Sequence, residues 1–468
     1  MKVLLIFPPL TKCASKPIYT TINVDVGAYP PLGLLYLASY IEKYSTHKVK
    51  VLDCVVENTD YIKLENYIKA ESPDVIGVYS NSYYWWDTVH TVKIVKNISK
   101  DIIIVLGGPH VFIYPKETIS FPEVDYVIYG EGELAFKELL DNLENKKSVE
   151  DIPGVITKLN QNKPFEFQRM EDLDKLPFPD RNLVSYKKYN SILAIKNPIT
   201  TLMSSRGCPY NCYFCSSEKM HKPRGRSPDN VVEELTICVK MGINDFLFFD
   251  ELFTFPKKRA IQICEKIVDS GLKIRWQIRS RADVIDRELA KKLKKAGCQL
   301  IQFGIETGSP HIQKVLNKNL NLNKVKETIK IVKEEGILTY GDFMLGSPEE
   351  TKDEIFQTIK FAKELHLDYA VFYITQILPE TELYNRALRE NILDRDYWQE
   401  YALNPENQLK NINWLVNFSV EEINNLARLA YRIFYFNLRY IWGSIKRIKT
   451  LKQLFWQVKV GIKTFLFS

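Results

Sequence analysis

Arg206-Gly-Cys-Pro-Tyr-Asn-Cys-Tyr-Phe-Cys215 sets Cys208, Cys212 and Cys215 in a C-x3-C-x2-C array. An odd set of thiols cannot be used up in disulfides among themselves. Soft thiolates converge readily on an iron–sulfur cluster or on zinc. A four-iron cluster usually takes four cysteines, and no fourth lies close by, so one iron would keep an open position for a small ligand. A zinc site would need a further ligand, and His221 is the one within reach.

With Phe214 directly before its last cysteine, this loop resembles that of the radical S-adenosylmethionine (radical SAM) enzymes. The resemblance implies a [4Fe-4S] cluster on Cys208, Cys212 and Cys215. It also implies that the open iron chelates SAM, which is then cleaved reductively to a 5′-deoxyadenosyl radical. Further along the chain, Asp250 and Glu251 match the family's acidic acceptors for the SAM ammonium. Arg279 and Arg281 are suited to a carboxylate by their planar donor forks, and the resemblance favours Arg281. Gly304-Ile-Glu-Thr-Gly308 resembles the family's signature at the fourth strand. There Gly304 and Gly308 would admit the nucleoside, and Glu306 would accept from ribose or ammonium. Phe343–Glu350 resembles the adenine-contacting turn and reads equally as a strand end with a helix cap at Ser347 or Glu349.

The elements that must position these groups can be read from periodicity. Between about 197 and 385, strands are expected at Thr200–Met203, Asp245–Phe249, Lys273–Ile278, Gln299–Phe303, Thr339–Met344 and Tyr369–Ile374. Helices are expected between them, near 229–241, 257–270, 286–296, 321–335 and 351–366. Six β/α repeats make a partial (β/α)6 TIM barrel, with functional groups at the C-terminal strand ends. The cluster loop falls just past the first strand, as in the radical SAM core.

Residues 1–145 read as a second α/β unit. Short apolar runs at Lys2–Phe7, Lys48–Asp53, Asp74–Tyr79, Ile102–Leu106 and Tyr126–Tyr129 alternate with helical patterns. That is a doubly wound, Rossmann-like domain, whose ligands bind at the C-terminal strand ends. No G-x-G-x-x-G turn follows the first strand, which counts against a dinucleotide. Pro8-Pro9, Pro30-Pro-Leu-Gly33 and Gly107-Gly-Pro-His110 resemble the cobalamin-binding domain that precedes many radical SAM cores. The resemblance places Ser80, Ser82, Gly107, Gly108, His110 and Gly130 around cobalamin. The loop Leu10–Lys16 lacks the histidine that ligates cobalt in many such domains; His110 is the alternative ligand. Residues 146–196, with Pro153, Pro164, Pro177 and Pro179, read as a linker.

Residues 386–468 form a helical C-terminal region with a basic, aromatic tail. Ser419-Val-Glu-Glu422 is a helix start with a capping box. The net charge is +7, yet Arg428–Ser468 holds nine Lys or Arg and no acid, leaving the rest at −2. That distribution argues against a general nucleic-acid surface. Tyr431, Phe434, Tyr435 and Trp442 with Lys446–Lys463 suit a membrane interface, or else a helix packed on the barrel. The N-terminus is apolar only as far as Phe7 and reads as a strand, not a signal peptide. Cys13, Cys54, Cys238, Cys264 and Cys298 read as small buried hydrophobes in a reducing compartment. The expected setting is the cytoplasm, with peripheral contact at the inner membrane face as the alternative the tail offers.

The function expected from the resemblance is cobalamin-dependent functionalisation of an unactivated carbon, first by methyl transfer. Ring formation or rearrangement of a lipid or pigment precursor is the alternative. A non-catalytic corrinoid or cluster carrier is the reading from another class. The partners expected are a small-molecule or lipid substrate and an electron donor such as flavodoxin or ferredoxin.

Overall fold

The computed structural model describes residues 1–12, 27–166, 168–191, 194, 197–216, 222–407, 409, 412–437, 440, 441 and 443. The chain divides into two units, Met1–Ser191 with Arg395–Asn411, and Ile192–Asp394 with Ile412–Ser468. Cys13, His221, Trp442 and the basic stretch 446–463 lie outside the described residues.

In the first unit, β1 (Lys2–Phe7), β2 (Lys48–Asp53), β3 (Val75–Tyr79), β4 (Ile103–Gly107) and β5 (Tyr126–Ile128) form a parallel sheet ordered β2-β1-β3-β4-β5. The order reverses between β1 and β3, the place where a doubly wound sheet opens a crevice. Helices α1 (Leu32–Tyr44), α2 (Tyr61–Glu71), α3 (Trp85–Ile98) and α4 (Gly132–Glu144) alternate with these strands. Leu35 and Ile41 of α1 and Phe136 and Leu139 of α4 pack with Val3, Leu5, Val75 and Val105 in one core. Gly77 makes that contact possible, since a Cβ there would lie 2.7 Å from Leu5 Cδ2.

Two segments depart from the expected organisation. Val155–Ile156, read as linker, is a sixth strand antiparallel to β5. Further along the same stretch, Tyr189 donates to Asp53 at 2.9 Å. Arg395–Asn411, read as C-terminal region, returns to the first unit. Its helix α10 (Tyr397–Leu403) accepts a hydrogen bond from Trp85 Nε1 at Ala402 O, 3.0 Å. It also sets Trp398 edge-on to Tyr83.

The second unit is built on β7 (Ile199–Leu202), β8 (Asp245–Phe248), β9 (Arg275–Ser280), β10 (Cys298–Glu306), β11 (Leu338–Leu345) and β12 (Tyr369–Ile374). They are parallel and ordered as in the sequence, an open six-stranded sheet. Helices α5 (Pro228–Lys240), α6 (Lys257–Asp269), α7 (Arg287–Lys295), α8 (Leu322–Glu334) and α9 (Lys352–Glu364) follow successive strands. On β10, Ile301, Phe303 and Ile305 are fully buried. Their neighbours Gln302 and Gly304 face the opposite way and are half-exposed. Cys54, Cys238, Cys264 and Cys298 are buried, and burial raises the pKa of the Cys54, Cys264 and Cys298 thiols. Among the described residues no helix is long and apolar enough to cross a membrane.

Helix α11 (Val420–Tyr435) starts with the expected capping box of Ser419 and Glu422. Tyr431, Phe434 and Tyr435 lie against β12, the last strand of the sheet. Tyr435 OH accepts from Ala370 N at 3.1 Å and donates to Ala370 O at 2.7 Å. Tyr431 OH accepts from Phe372 N at 3.1 Å. The hydroxyls thus cover backbone groups that an edge strand would otherwise leave unpaired. Tyr435→Phe should therefore cost about 1–2 kcal/mol in urea unfolding of the whole chain. Phe436→Ser, at a half-exposed ring beside it, should change stability by less than about 0.5 kcal/mol.

Candidate active site

The loop that carries the three cysteines leaves the end of β7. It has almost no regular structure of its own and is fixed from outside. Tyr213 N donates to Leu316 O at 3.1 Å, and Leu383 N donates to Tyr213 O at 2.8 Å. Asn317 Nδ2 donates to Asn211 O at 2.5 Å. Gly207 sits at φ +89°, a left-handed turn that glycine accepts at little cost, and its N–H donates to Glu251 Oε2 at 3.2 Å. All three cysteines are free thiols, and burial raises the pKa of Cys208 and Cys212. Among the described residues no three Cys, His, Asp or Glu side chains are already gathered at metal-ligand spacing. Binding a soft metal would expel the thiol protons and draw the loop in.

The strand ends of the same unit close on this loop. Glu306 ends β10 at φ +67°, a conformation that costs a non-glycine residue energy and tends to be kept at functional sites. A register shift between β10 and β11 at this point turns the side chain. Its Oε1 lies 3.1 Å from Lys318 Nζ, and both side chains are about nine-tenths buried. Lys318 also faces the Phe214 ring at 5.9 Å; burial disfavours its ammonium, and Glu306 more than offsets that, so its pKa lies above the ordinary lysine value. A Cβ at Gly304 would fall 2.6 Å from Glu306 Oε1 and 3.0 Å from Lys318 Nζ, so a larger residue would push the ends of both side chains aside.

Arg281 lies over the Tyr210 ring at 3.8 Å. It holds Asp283 through Nε at 3.0 Å and Nη2 at 2.8 Å, and donates to Lys318 O at 3.0 Å. Its Nη1 is buried with no partner. Arg281 thus braces the cysteine loop and keeps one donor in hand.

Other expected residues have internal roles. Asp250 is fully buried and accepts from Ser204 N at 2.7 Å and from the Ser204 and Ser205 hydroxyls at 2.5 Å each. Its carboxylate is used up in tying β8 to the start of the cysteine loop, so it is not an open acceptor for an ammonium. Gly308 is forced by packing: a Cβ would lie 2.6 Å from Phe361 Cβ and 2.9 Å from Thr358 Cα. The cap of α9 is neither Ser347 nor Glu349 but Thr351, in a capping box with Glu354. Lys318 carries no sequence signature. It stands in an ordinary Asn-Lys-Asn run after a short helix, and nothing local marks it.

In the first unit the named residues gather at the C-terminal ends of β3 and β4. Ser80 donates to Gly107 O at 2.9 Å, and Gly108, at φ +110°, makes room for Ser80 O. Ser82 Oγ pairs with His110 Nδ1 at 3.0 Å. His110 is fully buried and stacked on Trp85, with ring centroids 3.9 Å apart, and Nε2 has no partner. Burial pushes its pKa down to about 3, so the ring is neutral. Ser82 takes Nδ1, and Nε2 is the ring nitrogen left over. Gly107 is different: a Cβ there would meet nothing nearer than 3.8 Å, an open cradle at a strand end. Gly130 turns the chain at φ +96° after β5. The loop after β1 is pinned by a residue distant in the sequence. Asp87 of α3 accepts from Thr11 N at 3.0 Å, Lys12 N at 3.1 Å and Tyr61 OH at 2.5 Å.

An open α/β sheet with a three-thiol loop at the end of its first strand, preceded in the sequence by a doubly wound domain, is the architecture of a cofactor-carrying enzyme. Residues 202–362 match the model of the radical SAM superfamily, and residues 20–140 match that of the B12 binding domain. An uncharacterised methyltransferase of Pyrococcus horikoshii is 37% identical over 442 residues, 93% of this chain and 92% of that protein. The anaerobic magnesium-protoporphyrin IX monomethyl ester cyclase of Rubrivivax gelatinosus is 28% identical over 375 residues, 76% of this chain and 66% of that protein. Among solved structures, the cobalamin-dependent S-adenosylmethionine radical enzyme OxsB, with aqua-cobalamin and SAM bound, superposes with a TM-score of 0.75. It covers 100% of this chain and 72% of that one at 17% identity. The chain belongs to the radical SAM enzymes that carry a cobalamin-binding domain.

The Glu306–Lys318 pair can be tested without any cofactor. Lys318→Met leaves a buried carboxylate unpaired and should cost about 3–5 kcal/mol in urea unfolding of the metal-free chain. The Lys318→Met/Glu306→Gln double variant should recover more than half of that loss.

Proposed function

We propose that this protein is a cobalamin-dependent radical SAM methyltransferase that alkylates an unactivated carbon of a small molecule. The observation that carries the reading is the three-thiol loop braced beside a buried Glu306–Lys318 pair. Cys208, Cys212 and Cys215 would hold the cluster. Glu306 and Lys318 present one acceptor and one cation, the complement of the amino and carboxylate groups of SAM. Arg281 Nη1 is a further donor for that carboxylate. Gly304 keeps the backbone low beneath the pair, and Glu251 fixes the turn at Gly207. In the first unit, the open cradle at Gly107 with Ser80, Ser82, Gly108 and Gly130 around it is the place for the nucleotide tail of cobalamin.

When bound, these groups supply one-electron cleavage of the sulfonium, hydrogen abstraction from the substrate, and a methyl group for the resulting carbon radical. The chain's own residues bind, orient and exclude water. Arg281 and the Leu316 and Leu383 contacts fix the loop, and the buried pair sets a charge pattern that needs no reorganisation on binding. A small electron carrier of the flavodoxin or ferredoxin type would deliver the electron. The basic stretch Lys446–Lys463, set among Phe455 and Trp456, gives the chain a means of peripheral contact with an anionic membrane.

Methyl transfer is favoured because the Pyrococcus relative, similar over nearly its whole length, is named a methyltransferase. Ring formation is the second reading, supported by the name of the Rubrivivax relative. The two differ in the product, which either gains one CH2 in mass or loses hydrogen. Under anaerobic reduction with SAM, the reconstituted chain should release 5′-deoxyadenosine. Cys208→Ala, Cys212→Ala and Cys215→Ala should each lower that release by more than about 100-fold while leaving the corrinoid absorbance of the bound cobalamin intact. Release undiminished in all three variants would refute the reading.

A further inference from the structure

The inner face of the second unit's sheet carries polar residues that the cluster and SAM do not use. A closed barrel of this kind fills its interior with branched apolar side chains. Here Arg279 of β9, Gln302 of β10 and Asp342 of β11 stand on three adjacent strands. Arg279 is in register with Gln302, and Gln302 Nε2 donates to Asp342 Oδ2 at 2.8 Å.

Two groups in this row are left over. Asp342 Oδ1 is buried and has no hydrogen-bond partner. Among the described residues Arg279 has no hydrogen bond or ion pair; its guanidinium only lies over the Phe249 ring at 4.9 Å. Burial and the neighbouring Glu306 push the Asp342 carboxyl up to about 7, while Arg279 and Lys318, near it but not bonded to it, oppose that shift. Tyr373 of β12 lines the same face and feels both Asp342 and Arg279. A buried polar atom without a partner costs on the order of 1–3 kcal/mol, so a ligand that donates to it would be held there.

We infer that Arg279 and Asp342 form a two-point recognition site for the substrate. The site takes a small molecule with an anionic group for Arg279 and a neighbouring hydroxyl or ammonium for Asp342. Gln302 is the positioning residue that holds Asp342 with one oxygen free. The inference rests on the radical SAM reading, in which the Glu306–Lys318 pair beside this row receives SAM and leaves Arg279 and Asp342 to the other reactant.

The test is ligand-observed NMR on the full chain reconstituted with its cluster and cobalamin, using three probes of one size. These are 3-hydroxybutyrate, which has both groups, butyrate, which has the anion, and 1,3-butanediol, which has hydroxyls only. Wild type should bind 3-hydroxybutyrate most tightly. Arg279→Met should weaken 3-hydroxybutyrate and butyrate by about tenfold and spare the diol. Asp342→Asn, which turns an acceptor towards the ligand into a donor, should weaken 3-hydroxybutyrate and the diol by about tenfold and spare butyrate. Arg279→Gln and Asp342→Ala carry the same comparison should either first variant fold poorly. SAM affinity, read calorimetrically, should stay within about twofold of wild type. Equal binding of the probes by wild type and variants overturns the proposal, and so does a tenfold loss of SAM affinity, which would assign the pair to SAM. The probe arm needs no SAM cleavage, so it judges this pair even where the assigned reaction fails.

Discussion

Three thiols must be held at one point by a segment with almost no hydrogen-bonded ladder of its own. That constraint organises the second unit. A loop can be stiff only if its unmet backbone groups are satisfied by neighbours. Here Leu316 and Leu383 supply backbone partners, and Arg281 clamps Tyr210 from the end of β9. Asp250 ties the beginning of the same segment to β8 through three hydrogen bonds. Residues that look catalytic by type are therefore spent on holding the loop, and the free chemistry is left to the cysteines and to Glu306 with Lys318.

The burial of that carboxylate and ammonium is the second dependency. Two charges removed from water are tolerated only when each offsets the other at close range. Glu306 reaches this position through a left-handed backbone and a register shift, both of which weaken the sheet locally. Structure at the strand end is given up for a preset charge pattern. A zwitterionic ligand can exchange with such a pair without leaving either charge exposed to an apolar wall.

Much of the fold was legible because the relevant patterns are local. Continuous apolar runs marked the parallel strands, and each of the five helices expected in the second unit forms within about two residues of its expected range. The C-x3-C-x2-C spacing and Gly304-Ile-Glu-Thr-Gly308 were legible for the same reason, each lying within one short stretch. What could not be read depends on distant partners. Lys318 matters because of where the chain after β10 returns, and Asp250 looks like a ligand until Ser204 and Ser205 are seen to saturate it. Gly308 looked like a ligand cradle, yet helix α9 requires it. Val155–Ile156 is too short to show alternation, and α10 belongs to the first unit only through contacts such as Trp85 with Ala402.

The account stands on a four-iron centre whose fourth corner is reserved for SAM. The most direct measurement is the electron paramagnetic resonance spectrum of the reduced, anaerobically reconstituted chain, recorded without and with SAM. The account predicts a [4Fe-4S] signal that changes in g values when SAM is added, because the amino and carboxylate groups reach iron. A chain that holds no such centre, or a signal that SAM leaves unaltered, would contradict it.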